Sequence, residues 1–342
     1  MWPAACVAAS QFRPVAAAPG NAGRQLLWDL KMPVKRTPIR DHKQWLAERK
    51  FAITGSVMGA VDGCHPYITP LRLFIEKQGL VDLPDRVDDG VLRRGRIYEP
   101  AVAAAVAEQR PDWQLEKCRD YFCDEATGIG ATPDFFIYGD PRGLGVLQTK
   151  TTIPSVYERD WHNGNGEVAV PRYIELQAAT EAMLVDASFG VVAVLVFDPF
   201  DAPCTIVEFA RDHELEQQIR DRVAQFWKDI EDGREPDVNY GADRDLLAEV
   251  RGAREGLSVD LTFDNEVVDG LAERAKLKAE IKEREERCKA VEGLLMSRMR
   301  DAVVATVPGF SIAWRISERK GYTVAPSSPR VLTIRNKKGG AA

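Results

Sequence analysis

Two hydrophobic periods divide the chain. A helical period runs over Leu71 to Gln78, with Leu71, Phe74 and Ile75 on one face, and over Arg96 to Gln109, where Ile97, Val102 and Val106 stand among alanines before Pro111. Upstream, Asp41 to Ala60 reads as helix, turn and second helix, with Ser56 a candidate N-cap for the second. The period then shortens to two. Residues 113–123 and 134–138 read as strands of a hairpin and 144–150 as a third strand. A helix over Tyr173 to Val185 precedes Val191 to Phe197, a β-branched run of the kind that fills a buried strand. A strand at 205–210 and a helix from His213 to Asp232 follow. This order predicts an α/β fold, a mixed central sheet flanked by helices, without the regular βα alternation of a dinucleotide fold.

The periodicity also sets the expected organisation. Residues 1–40 read as a disordered extension, 41–235 as the core and 236–262 as a linker. Residues 263–304 read as one long helical segment, where Leu277, Ile281, Cys288, Val291 and Leu295 recur near the 3.5-residue period while Arg284 and Arg298 interrupt the seam. That seam suits either self-association as a homo-oligomer or packing within the chain. Residues 305–342 complete the chain as a terminal β-hairpin and tail, with Phe310 to Trp314 and Arg330 to Ile334 as its strands.

Composition changes the picture little. At 342 residues, 45% hydrophobic and 29% charged, the chain can bury a large core. The net charge of -6 argues against a general nucleic-acid coat, but Lys31, Lys35, Arg36, Arg40, Lys43, Arg49 and Lys50 form a local basic stripe against only Asp41 and Glu48. The six cysteines lack any CxxC spacing and read as reduced thiols. No apolar run nears the roughly 18 residues that span a bilayer, and the alanine-rich start lacks the pattern of a signal peptide, so a cytoplasmic protein without membrane contact is expected. Met32, just before the recognisable pattern begins, is a candidate start.

The candidate chemistry lies in Thr132-Pro133-Asp134 and Gln148-Thr149-Lys150. The first places an acid at the start of one strand. The second sets residues 148 and 150 on the same face of the next, because side chains alternate. An acid, a metal-coordinating oxygen and a lysine at a strand end are what metal-assisted phosphodiester hydrolysis needs. Alone, Lys150 would read as a surface lysine, Arg49 as a helix-surface residue and Ser56 as a cap.

Other segments fall in order around these. Trp45, Arg49 and Ile53-Thr54-Gly55-Ser56 precede Gly95-Arg96-Ile97-Tyr98-Glu99, and Asp124 lies between that helix and Thr132. Trp161, Pro171, Tyr173 and Gln177 follow Lys150. From about residue 45 to residue 200 this series resembles the family of phage lambda exonuclease and the YqaJ-type viral recombinases, within the PD-(D/E)XK nuclease superfamily. The resemblance implies a restriction-endonuclease-like core and a Mg²⁺-dependent exonuclease, with Mn²⁺ as a substitute. It implies digestion of the 5′ strand of linear duplex DNA, leaving 3′ single strands for a RecT-like or Beta-like annealing protein in the cytoplasm of a phage-infected bacterium. By the same resemblance Asp134, Gln148, the Thr149 carbonyl and Glu99 would hold the metal, and Lys150 would orient the attacking water. Arg49, Ser56 and Thr132 would contact DNA, with Asp124, Tyr173 and Gln177 in support.

One residue departs from the pattern. Position 148 is glutamine where the family has glutamate, and an amide offers one neutral oxygen in place of two charged ones. Two alternatives therefore stay open, a silenced pseudo-nuclease that binds DNA ends and an endonuclease of the same fold.

Overall fold

The computed structural model describes residues 34–79, 90–198, 200–252 and 256–315. It divides into two units, Met1–Val250 and Arg251–Ala342. Among the described residues no helix is long and apolar enough to cross a membrane.

In the first unit β1 (Lys35–Pro38) precedes α1 (His42–Arg49), β2 (Ile53–Thr54), α2 (Gly55–Val61), α3 (Pro70–Lys77) and α4 (Gly90–Gln109). Strands β3 (Gln114–Lys117), β4 (Asp120–Asp124), β5 (Ile129–Ala131), β6 (Phe135–Tyr138) and β7 (Gly145–Thr152) follow. Helices α5 (Pro154–Asp160) and α6 (Arg172–Leu184) lead to β8 (Phe189–Val196), β9 (Cys204–Ala210), α7 (His213–Asp232) and α8 (Arg244–Val250).

The main sheet has the order β3-β6-β7-β8-β9. Its pairs are antiparallel except β7 with β8, which run parallel because α6 carries the chain back between them. Strand β8 is buried along its whole length, as expected of a central strand covered on both faces. A smaller sheet, β1-β4-β5-β2, holds the N-terminal strands. The expected mixed sheet flanked by helices is thus present.

Local chemistry sets the helix ends. Asp41 caps α1 by accepting from Gln44 N at 2.8 Å, Thr69 caps α3 ahead of Pro70, and Asp212 caps α7, which stops at Gly233 with φ 66°. Helix α2 lies close on α6: a methyl at Gly59 would stand 2.6 Å from Tyr173 Cβ, so only glycine permits that approach.

Several elements differ from expectation. Lys35–Pro38 lie within the expected extension yet pair with β4, for which Thr37 faces Tyr121. The single strand expected over 113–123 is two strands in different sheets, β3 on β6 and β4 on β5. Between them Cys118 N bonds Asp134 O at 3.0 Å, and a uniform run of apolar and polar residues carries no mark of a change of partner. Helix α2 takes Thr54 as its N-cap rather than Ser56, whose hydroxyl is held by Arg49.

In the second unit α9 (Asn265–Met299) leads into a hairpin of β10 (Val304–Val307) and β11 (Phe310–Ala313). In this hairpin Phe310–Ala313 pairs with Val304–Val307, while the expectation placed Arg330–Ile334 beside it. Pro308-Gly309, with Gly309 at φ 81°, supplies the tight turn; residues 330–334 lie outside the described set. On α9, Leu277, Ile281 and Val291 are about half exposed.

Candidate active site

The site forms where β6 begins, on β7, and on the face of α6 turned toward both. Asp134 sits just ahead of β6. Its Oδ2 accepts from Gln148 Nε2 at 2.8 Å, from Thr149 N at 2.8 Å and from Thr149 Oγ1 at 2.7 Å. The Gln148 Nε2 also lies 3.4 Å from Thr149 O. On the other side, Gln148 Oε1 accepts from Gln177 Nε2 at 3.0 Å, and Lys150 Nζ donates to Gln177 Oε1 at 3.0 Å. One amide on α6 therefore ties together the two β7 residues that the alternation places on one face.

Gln177 makes a further bond. Its Nε2 also donates to Glu181 Oε1 at 3.0 Å, one helical turn along α6. Glu181 is 1% exposed and Gln148 3%. Burial lowers the pKa of Lys150, against the attraction of Asp134 and Glu181. Burial first, and then the Asp134 charge, raise that of Glu181 well above the usual carboxylate range.

A second cluster stands on α1, β2 and α2. The Arg49 Nη2 donates to Ser56 Oγ at 2.6 Å and to Thr54 Oγ1 at 3.1 Å, and its guanidinium stacks 3.9 Å over the Trp45 ring. Trp45 Nε1 in turn donates to Thr132 Oγ1 at 3.2 Å, which links this cluster to the segment carrying Asp134. Burial pushes the Arg49 pKa down to about 10. Lys77 Nζ donates to the Arg49 and Lys50 carbonyls at the C-terminal end of α1, at 3.2 and 3.3 Å, and burial pushes its pKa down to about 8.

The remaining expected residues are placed differently. Glu99, on α4, forms an ion pair with Lys117. Lys117 faces Phe135 across the β3–β6 ladder and feels the Asp134 charge, so Glu99 stands beside the centre with a cation between. Asp124 does not join the Asp134 cluster: its Oδ1 closes its own turn onto Ala126 N at 3.1 Å, and its Oδ2 pairs with Arg220 of α7 at 3.1 Å. An acid at a strand end before a turn caps that turn. Tyr173 packs edge-on against His65, with ring centroids 5.4 Å apart, and burial pushes its pKa up to about 12. Sequence reasoning missed Thr54, Lys77, Lys117 and Glu181. Only Glu181 had a signal, its i, i+4 spacing from Gln177 on one helix face.

The atoms this cluster can offer to a metal are carboxylate, amide and backbone oxygens, which suit a small hard cation such as Mg²⁺ or Mn²⁺. Asp134 has a second carboxylate oxygen outside the three bonds to Oδ2, and Glu181 Oε2 is buried without a hydrogen-bond partner among the described residues. No three His, Cys, Asp or Glu side chains gather at one point among the described residues, so amide and backbone oxygens would have to complete a shell. Gln148 now offers Asp134 a donor. Its oxygen becomes available only if the amide exchanges its two ends, which needs no added volume.

Residues 44–186 match the family model of the YqaJ-like viral recombinase domain. The protein YqaJ of Bacillus subtilis (strain 168) is 23% identical over 276 residues, covering 80% of this chain and 82% of that protein. Among solved structures, an alkaline exonuclease from Laribacter hongkongensis overlaps with a TM-score of 0.43 at 18% identity, over 56% of this chain and 94% of the other. A putative exonuclease from Eubacterium rectale overlaps with a TM-score of 0.43 at 12% identity, over 66% of this chain and 97% of the other.

Proposed function

We propose that this chain, whose residues 44–186 match the model of the YqaJ-like viral recombinase domain, is a metal-dependent exodeoxyribonuclease that degrades the 5′ strand of linear duplex DNA and leaves a 3′ single strand. The observation that carries the reading is the convergence of Asp134, Gln148, Thr149 and Lys150 through hydrogen bonds across β6, β7 and α6. An acid, oxygen donors and a buried ammonium on adjacent strands form a hydrolytic centre for a phosphodiester.

Asp134, the oxygen of residue 148 and the Thr149 carbonyl would hold Mg²⁺ or Mn²⁺, with Glu99 at the margin beside Lys117. Bound there, the cation would polarise the scissile phosphate and acidify a water. Lys150 does the rest from the protein side. Fixed by Gln177, its ammonium stands where it can orient the attacking oxygen and offset negative charge on the phosphate in the transition state. Arg49, with Thr54 and Ser56, supplies a charged fork for the terminal phosphate, and the Trp45–Thr132 bond fixes the distance between that fork and the cleavage centre. The 3′ strand left behind suits a RecT-like or Beta-like annealing protein in the cytoplasm of a phage-infected bacterium.

A second reading rests on a specific contact. The Gln148 Nε2 occupies Asp134 as a donor, which favours a silenced protein that binds ends without cutting. Digestion of linear duplex labelled at either the 5′ or the 3′ end, beside closed circular DNA and with Mg²⁺ or EDTA, separates the readings. Loss of 5′-strand nucleotides from linear DNA alone, reduced by about a thousandfold or more in Lys150→Ala, supports the exonuclease. Binding without digestion until Gln148→Glu is made supports the silenced form, and cutting of the circle supports an endonuclease.

A further inference from the structure

Counting charge around Asp134 exposes a deficit. Asp134 contributes one negative charge and Lys150 one positive; Glu99 is already paired with Lys117. Glutamine at 148 adds none. A divalent cation at this centre would face no net negative charge from those residues, although hard cations are held mainly by carboxylates.

Glu181 answers the deficit from α6. Its carboxyl is 1% exposed, and Oε2 has no hydrogen-bond partner among the described residues. A polar oxygen left in that state destabilises a core that methionine would fill without an unpaired polar atom. Its other oxygen shares a single donor with the glutamine at 148, since Gln177 Nε2 lies 3.0 Å from Glu181 Oε1 and 3.0 Å from Gln148 Oε1. It also stands within electrostatic reach of Asp134, Lys150 and Arg49.

Building on the metal-dependent reading above, we propose that Glu181 is a positioning residue for the cation: it supplies from α6 the second negative charge of the centre, in place of the carboxylate that residue 148 lacks, and holds Gln177 against Gln148. The charge then sits on the helix rather than on the strand, in the same hydrogen-bonded chain. Lys150 gains a counter-charge by the same arrangement.

The test is Mn²⁺ binding without DNA, measured by calorimetry near neutral pH on the full chain, together with its melting temperature in EDTA. The proteins compared are wild type, Glu181→Gln, Glu181→Met, Gln148→Glu and the double variant Gln148→Glu/Glu181→Gln. Both single changes at 181 should weaken Mn²⁺ binding by about tenfold or more while the metal-free melting temperature holds or rises. The double variant, which returns the carboxylate to the strand, should recover to within about threefold of wild type. Wild-type affinity in Glu181→Gln overturns the inference and leaves the metal-dependent reading standing. Failure of both 181 variants to fold also overturns it, because the carboxyl is then structural. If wild type binds no Mn²⁺ at all, the metal-dependent reading falls and takes this inference with it.

Discussion

Gln148→Glu tests the geometry of the centre through stability as well as activity. In the native site the Gln148 Nε2 stands 2.8 Å from Asp134 Oδ2, at a position 3% exposed. The substitution puts an oxygen where the nitrogen was, so an attraction becomes a contact between two carboxylates. At an effective dielectric of about 20, two unit charges about 3 Å apart repel by roughly 5–6 kcal/mol. Keeping one carboxyl protonated at pH 7, from an unperturbed value of about 4.3, costs roughly 3.7 kcal/mol. The smaller cost wins, so the pair shares a proton. The metal-free variant should therefore be about 2–4 kcal/mol less stable than wild type near pH 7, with rotation of the introduced side chain setting the lower end.

The sign with pH follows from proton counting. Above about pH 4.3 the unfolded chain has lost a proton that the folded variant retains, so stability falls by about 1.4 kcal/mol per pH unit up to the raised value of the pair. Glu181, itself raised by burial and by Asp134, lowers stability with pH in both proteins, and the difference between them isolates residue 148. Mg²⁺ would cancel the repulsion and flatten that difference. Urea denaturation at about pH 5, 7 and 8.5, in EDTA and in Mg²⁺, reads all three effects. Equal stability of the two proteins in EDTA at the two higher pH values would refute the contact between residue 148 and Asp134.

Arg49→Lys keeps the charge but loses the fork that holds Thr54 and Ser56. Preference for a 5′-phosphorylated over a 5′-hydroxyl end should fall by about tenfold in competition digests, the worth of one charged hydrogen bond, and Arg49→Ala should fall at least as far; unchanged preference would remove Arg49 from end recognition. Lys77, pushed down to about 8 in the folded chain from an ordinary 10.5, binds its proton less tightly than in the unfolded chain. Wild-type stability should therefore gain roughly 1–3 kcal/mol, discounted for solvent screening, as pH rises from about 8 to 10.5. Lys77→Met should lack that gain in denaturation curves taken across the same range.

Much of this architecture was legible because one face of an element must be apolar. His213 to Asp232 is a helix with the expected ends, since Asp212 and Gly233 mark them chemically as well as by period. The run through Val191 to Phe197 could only be a buried strand, and β8 is one. Residues 113–123 were misread for the same reason the others succeeded: alternation reports which side chains face inward, not which strand lies alongside. Asp124 was expected in a supporting role by its place in the motif order, which does not show that its own turn and Arg220 hold both its oxygens.

By itself the chain determined the order of elements and the presence of an acid, an amide and a lysine at fixed intervals, because these follow from covalent spacing and side-chain alternation. Only the tertiary structure decided that Gln177 joins Gln148 to Lys150, that Ser56 serves Arg49 instead of capping a helix, and that Glu181 is buried with one oxygen unpaired. A glutamate on a helix is ordinary until something covers it. Burial and long-range hydrogen bonding depend on how α6 packs on β7, and no local pattern carries that information.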